Sequence, residues 1–203
     1  KTITTVLDAV ANYDLTSIEA VRDELGVTDN SKDRVLKRYI RSTSAAAAQY
    51  CNRKFQLEKL QDEFWPEFDR FEIQLWDGPA VLQLSRWPVA RPVVSVVENG
   101  VTLTEGTDFR LDYDVGRLIR LDQELRPRHW GLWPVVAQYN GGFATIPDEV
   151  EDAVIRMVSR RYAAKGQDPN LKAINVPGVI EKQYWIATGT DVGNMAPDIA
   201  DLL

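Results

Sequence analysis

Apolar positions change period twice along this chain. Between residues 16 and 51 they recur at helical spacing. Ile18, Val21 and Leu25 share one face of a short helix over 16–25, in which Thr16 and Glu19 stand at capping-box spacing and Gly26 ends the run. A longer helix follows over 31–51, with Asp29, Asn30 or Ser31 as its N-cap. Val35, Leu36, Tyr39, Ile40, Thr43, Ala47 and Tyr50 repeat along one side of it. Its run Ala45-Ala46-Ala47-Ala48 carries so little side-chain bulk that a second backbone could approach closely.

From Phe55 the period becomes two. Phe71, Ile73 and Leu75 alternate with Glu72 and Gln74, and Leu82 and Leu84 flank Gln83. Val93 to Val97 leads into Asn99-Gly100, a strong hairpin signal, before Val101 and Leu103. Phe109 and Leu111 precede a turn at Asp112 to Gly116, then Leu118 to Leu121, and a last strand is expected over Trp133–Tyr139. Prolines 79, 88, 92, 127 and 134 suit strand starts and edges. The pattern predicts a meander of short strands forming a small sandwich or open barrel.

Helical spacing returns after Gly141-Gly142, where Pro147 opens a third helix over 147–165 with Val150, Ala153, Val154, Met157 and Val158 on its apolar stripe. Acidic residues crowd its start and Arg156, Arg160, Arg161 and Lys165 its end, which complements the helix dipole. The expected fold is therefore α+β. An α-helical bundle is built from residues 1–55 and 141–187, an antiparallel β domain is inserted at 56–140, and an extended C-terminal tail runs over 188–203. Within 167–203 one ordered piece is expected around Val179–Ala187.

Composition narrows the function. With 203 residues, 44% of them hydrophobic, the chain can bury a substantial core. Its net charge of −6 argues against general affinity for nucleic acid, which needs clustered Lys and Arg. Charge is uneven: residues 56–140 hold 14 Asp/Glu against 9 Lys/Arg, while residues 1–55 hold 7 against 9. The single cysteine, Cys51, excludes an internal disulfide and reads as a small buried apolar residue. No apolar run approaches a membrane span and no secretory signal opens the sequence, so a soluble chain made in a reducing compartment is expected.

Candidate chemistry finds little support. Gly141-Gly142 before a helix could cradle a phosphate, but no Lys-Ser/Thr follows and four acidic residues crowd the helix start, so a flexible turn is the better reading. Asp112 to Gly116 lacks the later ligands of a calcium loop and reads as a hairpin turn. Asp62, Glu63, Glu67, Asp69 and Glu72, interleaved with aromatics, could supply a glycosidase pair, yet such a pair works only at a set separation across a cleft. His129 is the only histidine and has no serine in a nucleophile-elbow context near it. No catalytic, metal or cofactor residue is assigned, and the chain is not expected to be an enzyme.

A family resemblance adds to this reading. Leu15-Thr16-Ser17-Ile18-Glu19-Ala20-Val21-Arg22-Asp23-Glu24-Leu25-Gly26 is similar to the first helix of tailed-phage head–tail connector (adaptor, or head-completion) proteins. The Ala-rich helix ending Tyr50-Cys51-Asn52-Arg53-Lys54-Phe55 resembles that family's Tyr, two residues, Arg, one residue, Phe ending. Trp87 to Val97, Gly106 to Leu111 and Gly116-Arg117-Leu118 resemble strand segments of its longer members. Val135 to Tyr139, the glycine turn, and Ile146-Pro147 through Tyr162 match its strand, turn and last helix.

The resemblance implies a structural virion protein, made in the host cytoplasm and located in the neck between capsid portal and tail. It implies a ring, usually of twelve copies, docked under the portal protein. Such a ring extends the DNA channel and offers a surface to the next tail-proximal stopper or tail-completion protein. DNA would pass without specific binding, as an acidic wall favours. By the same resemblance the tail supplies portal-contact candidates Asp191, Val192, Met195, Ile199, Leu202 and Leu203, and Ala45 to Ala48 are subunit-packing candidates. The alternative is a β-rich binding module for a carbohydrate or a tail or fibre partner, using its tryptophans. A hydrolase acting through Glu63 or Glu67 comes third.

Overall fold

The computed structural model describes residues 1–65, 81–165, 173–176, 180–183, 199 and 202. In chain order the elements are β1 (Thr2–Asp8), α1 (Ile18–Leu25), α2 (Asp33–Tyr50), β2 (Glu58–Phe64), β3 (Val81–Gln83), β4 (Val89–Glu98), β5 (Val101–Thr102), β6 (Phe109–Asp112), β7 (Arg117–Leu121), β8 (Pro127–Arg128), β9 (Val135–Gly141), α3 (Asp148–Ala163), β10 (Ala173–Val176) and β11 (Ile180–Gln183). The chain is thus mixed α and β, with antiparallel sheets. It divides into two units, Lys1–Asn12 with Lys54–Thr145, and Tyr13–Arg53 with Ile146–Leu203.

In the helical unit, Ser17 caps α1 by accepting from the Ala20 amide at 3.1 Å, and Gly26 closes it at φ +62°. The expected cap, Thr16, is used elsewhere: its hydroxyl donates to Glu151 of α3 at 2.9 Å, which moves the helix start one residue on. The start of α2 also differs from expectation. Asp29 accepts from the Ser31 amide at 2.8 Å, and the helix begins later, behind Lys32, without a side-chain cap. Hydrogen bonds within that turn hold the Asp29 carboxyl below the usual carboxylate range. A two-pronged ion pair between Arg22 of α1 and Asp33 of α2 fixes the helix pair at this end, and the guanidinium's hydrogen bond keeps the Asp33 carboxyl low as well.

The helical core is built from one stripe per helix. Val21 of α1, Leu36, Tyr39, Ile40 and Ala47 of α2, and Val150, Ala153, Val154 and Val158 of α3 are buried. Each large apolar side chain so removed from water contributes about 1.5–3 kcal/mol. Ser44, inside this core, accepts from the Leu15 amide at 2.9 Å. Arg161 of α3 stacks over the Tyr39 ring at 4.7 Å and donates to the Ser42 hydroxyl at 2.6 Å.

The β unit contains two antiparallel sheets. One has the order β1-β2-β9-β4-β5, and the other runs β3-β7-β6 with β8 on β7. Leu60, Phe64, Val96, Val135, Ala137 and Tyr139 from the first sheet share one apolar core with Leu82, Phe109, Leu111 and Leu118 from the second, and with Trp130. The expected hairpin at Asn99-Gly100 joins β4 to β5, with both residues at positive φ (46° and 84°). The turn at Asp112–Gly116 joins β6 to β7, closed by the Gly116 amide on the Asp112 carbonyl at 2.8 Å.

One expectation is corrected here. Residues 1–12 do not belong with the helices, because Thr2–Asp8 pairs antiparallel along β2 and extends the first sheet. The strand anticipated over Phe71–Leu75 lies outside the described residues.

Candidate assembly surfaces

The alanine run of α2 is not one uniform surface. Ala47 is fully buried within its own unit and Ala48 half-buried, whereas Ala45 and Ala46 are exposed. Of the four, Ala45 and Ala46 present the most open surface. Of the six portal-contact candidates, Asp191, Val192, Met195 and Leu203 lie outside the described residues. Ile199 is 3% exposed and packs on Ala153 of α3, with Met157 and Leu202 beside it. Within the single chain this side chain is covered by α3.

The acidic stretch resolves into structural groups. Asp62 and Glu58 sit on the inward face of β2, whose positions alternate buried and half-buried. The Asp62 carboxylate accepts from the Ser85 amide at 2.7 Å, the Ser85 hydroxyl at 2.8 Å and the Tyr139 hydroxyl at 2.7 Å. Glu58 is paired with Arg86 and accepts from the Val10 amide at 3.2 Å. Burial, reinforced by the neighbouring Asp62 charge, pushes the Tyr139 phenol far above its ordinary value. A carboxylate that is 0% exposed, with both oxygens engaged, cannot reach a sugar. Glu63 accepts from Gln61, and Glu67, Asp69 and Glu72 lie outside the described residues.

A second buried pair braces the other end of the core. Arg120 donates to Glu98 at 2.9 Å and to the Leu121 carbonyl at 3.1 Å, and lies over the Trp130 ring at 6.0 Å. Both networks include contacts between residues distant in sequence, 22 positions for Arg120 and Glu98 and 77 for Asp62 and Tyr139. The Arg120–Glu98 pair ties β7 of the second sheet to β4 of the first, while Asp62 and Glu58 bind the β3–β4 connection to the first sheet.

Gly141-Gly142 is a tight junction and not a phosphate cradle. The Gly142 amide donates to the Pro88 carbonyl at 2.8 Å, and the Phe143 amide to the Phe55 carbonyl at 2.7 Å, so neither is left for an anion. His129 is exposed beside the buried Trp130. Cys51 is half-buried at the C-cap of α2, and burial pushes its thiol above the ordinary range, away from thiolate reactivity. Among the described residues no group of three or more His, Cys, Asp or Glu is placed to hold a metal ion, and no helix is long and apolar enough to cross a membrane.

Two exposed features escape periodicity. Every residue of β1 is exposed, including Ile3 (43%), Val6 (39%) and Leu7 (45%), although the strand forms an edge of the larger sheet. The tryptophans also divide: Trp130 is fully buried while Trp65 and Trp87 are exposed. Composition alone does not separate the two groups, since indole serves cores and interfaces equally.

Residues 15–75 match the family model described as phage gp6-like head-tail connector protein. Among solved structures, the chain is similar to one in "Neck of empty GTA particle computed with C6 symmetry", with 19% identity, a TM-score of 0.52, and 88% of this chain and 89% of that one covered. It is also similar to a chain in "Virion of native gene transfer agent (GTA) particle", with 20% identity, a TM-score of 0.51, and 86% and 89% covered. At these identities the likeness is one of fold, and it extends across both units. No curated protein matches this sequence.

Proposed function

We propose, from the head–tail connector signature that residues 15–75 carry, that this protein is a structural adaptor of a virion neck. The observation that carries the reading is the family match over the segment that forms α1, α2 and β2. The shared fold supports it, since chains of this architecture occur in a particle neck.

Copies of the chain form a ring, most simply of twelve, under the portal protein. That number is a multiple of the sixfold symmetry named for the neck above. The ring extends the DNA channel and presents a docking surface to the next tail-proximal component. At −6 per chain the ring is strongly acidic, so DNA passes without specific binding. Residues 188–203 reach the portal, with Ile199 on α3 anchoring that segment to its own subunit.

Exposed Ala45 and Ala46 are the proposed close-approach points between neighbouring subunits. Ala46→Trp is expected to melt within a few degrees of wild type and to shift the ring toward smaller species in analytical ultracentrifugation, with or without portal present. Ala47→Trp differs in kind. Its indole would have to enter a filled core, at a cost of about 1–3 kcal/mol in stability. A wild-type ring from Ala46→Trp would remove this helix from the interface.

A further inference from the structure

Among the described residues, the first sheet ends on β1, with no strand paired to its outer edge. The Lys1 and Trp65 backbones exchange both hydrogen bonds, Lys1 N to Trp65 O at 2.8 Å and Trp65 N to Lys1 O at 2.9 Å. The register then runs Thr2 opposite Phe64, Ile3 opposite Glu63, Thr4 opposite Asp62, Thr5 opposite Gln61 and Val6 opposite Leu60. Bonded and non-bonded pairs alternate in an antiparallel ladder. Ile3 and Thr5 therefore bond to β2, and Thr2, Thr4 and Val6 point their N–H and C=O groups outward.

This edge is guarded only at its far end, where the register shifts between Val6 and Asp8 and the strand closes on the Asp8 charge. From Thr2 to Leu7 it holds no proline, glycine or charge, and its apolar side chains are exposed. At the other edge of the same sheet, β5 is only two residues long, which is itself a form of protection.

Each chain also carries the complementary piece. Strands β10 and β11 pair antiparallel with each other over four residues and belong to neither larger sheet. A lone two-stranded ribbon is marginal in water and gains stability by joining a third strand. At about 3.3 Å per residue a four-residue strand is one residue shorter than the five-residue run from Thr2 to Val6, and so fits along it.

We propose that the β10–β11 hairpin of one copy adds to the β1 edge of the next, continuing the five-stranded sheet across the subunit boundary. Donor and acceptor are different patches of identical chains, so the contact is heterologous and can repeat until a ring closes. The inference rests on the ring reading above, and backbone pairing supplies it with strength without a large apolar interface.

Amide hydrogen exchange on the full-length protein, compared between assembled and dissociated states, tests it. The amides of Thr2, Thr4 and Val6 are expected to slow at least about tenfold on assembly, together with amides of β10 or β11. Thr4→Pro removes one outward N–H without touching a β1–β2 bond, so it is expected to fold normally and to assemble poorly. Thr5→Pro, which removes an inward N–H, is expected to loosen β1 itself. An assembled ring with fast-exchanging Thr2, Thr4 and Val6, or with unimpaired Thr4→Pro, would overturn this inference alone. Slowing at β1 with no change in the hairpin would overturn the choice of occupant. A wild-type chain that stays monomeric, alone and with portal, would overturn the ring reading and this inference with it.

Discussion

Gly142→Ala is expected to destabilise the β unit by about 3 kcal/mol or more, a large share of the roughly 5–15 kcal/mol of a domain of ordinary stability. Gly142 has φ +116°, where a side chain is strained. The larger effect is steric. A Cβ there would stand 2.2 Å from the Gln56 carbonyl oxygen and 2.9 Å from that of Phe55, and both are backbone atoms with no rotamer to yield. The same neighbours bind the junction, since the Phe143 amide donates to the Phe55 carbonyl. Gly141→Ala meets Tyr139 at 2.7 Å and Arg86 at 3.0 Å, and is also expected to be destabilising. Urea denaturation followed by tryptophan fluorescence measures both. A Gly142→Ala midpoint within error of wild type would show that the junction yields more readily than its geometry indicates.

Asp62→Ala ranks next, with an expected loss on the order of 3 kcal/mol. It removes the buried acceptor of the Ser85 amide, the Ser85 hydroxyl and the Tyr139 hydroxyl; the two hydroxyls, 3.0 Å apart, can still bond each other, but the Ser85 amide loses its carboxylate. Tyr139→Phe removes one member of the same network and is expected to cost less, about 1–2 kcal/mol. The pair differs in pH dependence as well. The folded state holds the phenolic proton of Tyr139 more tightly than the unfolded chain does, so the raised value stabilises the fold fully below the ordinary tyrosine range. That contribution is lost as pH rises above about 10 and the unfolded state sheds its proton. Wild type should therefore lose stability more steeply above pH ~10 than Tyr139→Phe. Parallel alkaline profiles would show that Tyr139 does not carry the effect.

The helices were legible because each buries a single stripe. Val21, Leu36, Tyr39, Ile40, Val150 and Val154 stand at helical spacing and are all buried. Asn99-Gly100 announced its hairpin because few residue pairs accept two positive φ angles. Strand β2 was obscured by its own chemistry. Its inward face alternates Glu58, Leu60, Asp62 and Phe64, and the acidic members are inside only because Arg86, Ser85 and Tyr139 arrive from 23 to 77 residues away. Strand β1 was invisible for the opposite reason. Neither of its faces is buried, so no alternation had to be written into it. The caps moved because Thr16 and Asp29 have other partners, Glu151 and Ser31, and only the first of these is distant in sequence.

For the candidate site the balance is similar. The alanine run was legible as a place of low bulk, but its division into buried Ala47 and exposed Ala45 and Ala46 depends on where α3 lies. The acidic stretch suggested chemistry because sequence does not reveal whether a carboxylate faces water. Asp62 faces Tyr139 instead.

The central claim, that this chain is a neck adaptor, is tested most directly by native mass spectrometry of the protein mixed with the portal ring from the same source. The account predicts a portal ring carrying about twelve added copies, consistent with closed cyclic symmetry. An intact portal beside a monomer, with no complex at any ratio, would contradict it.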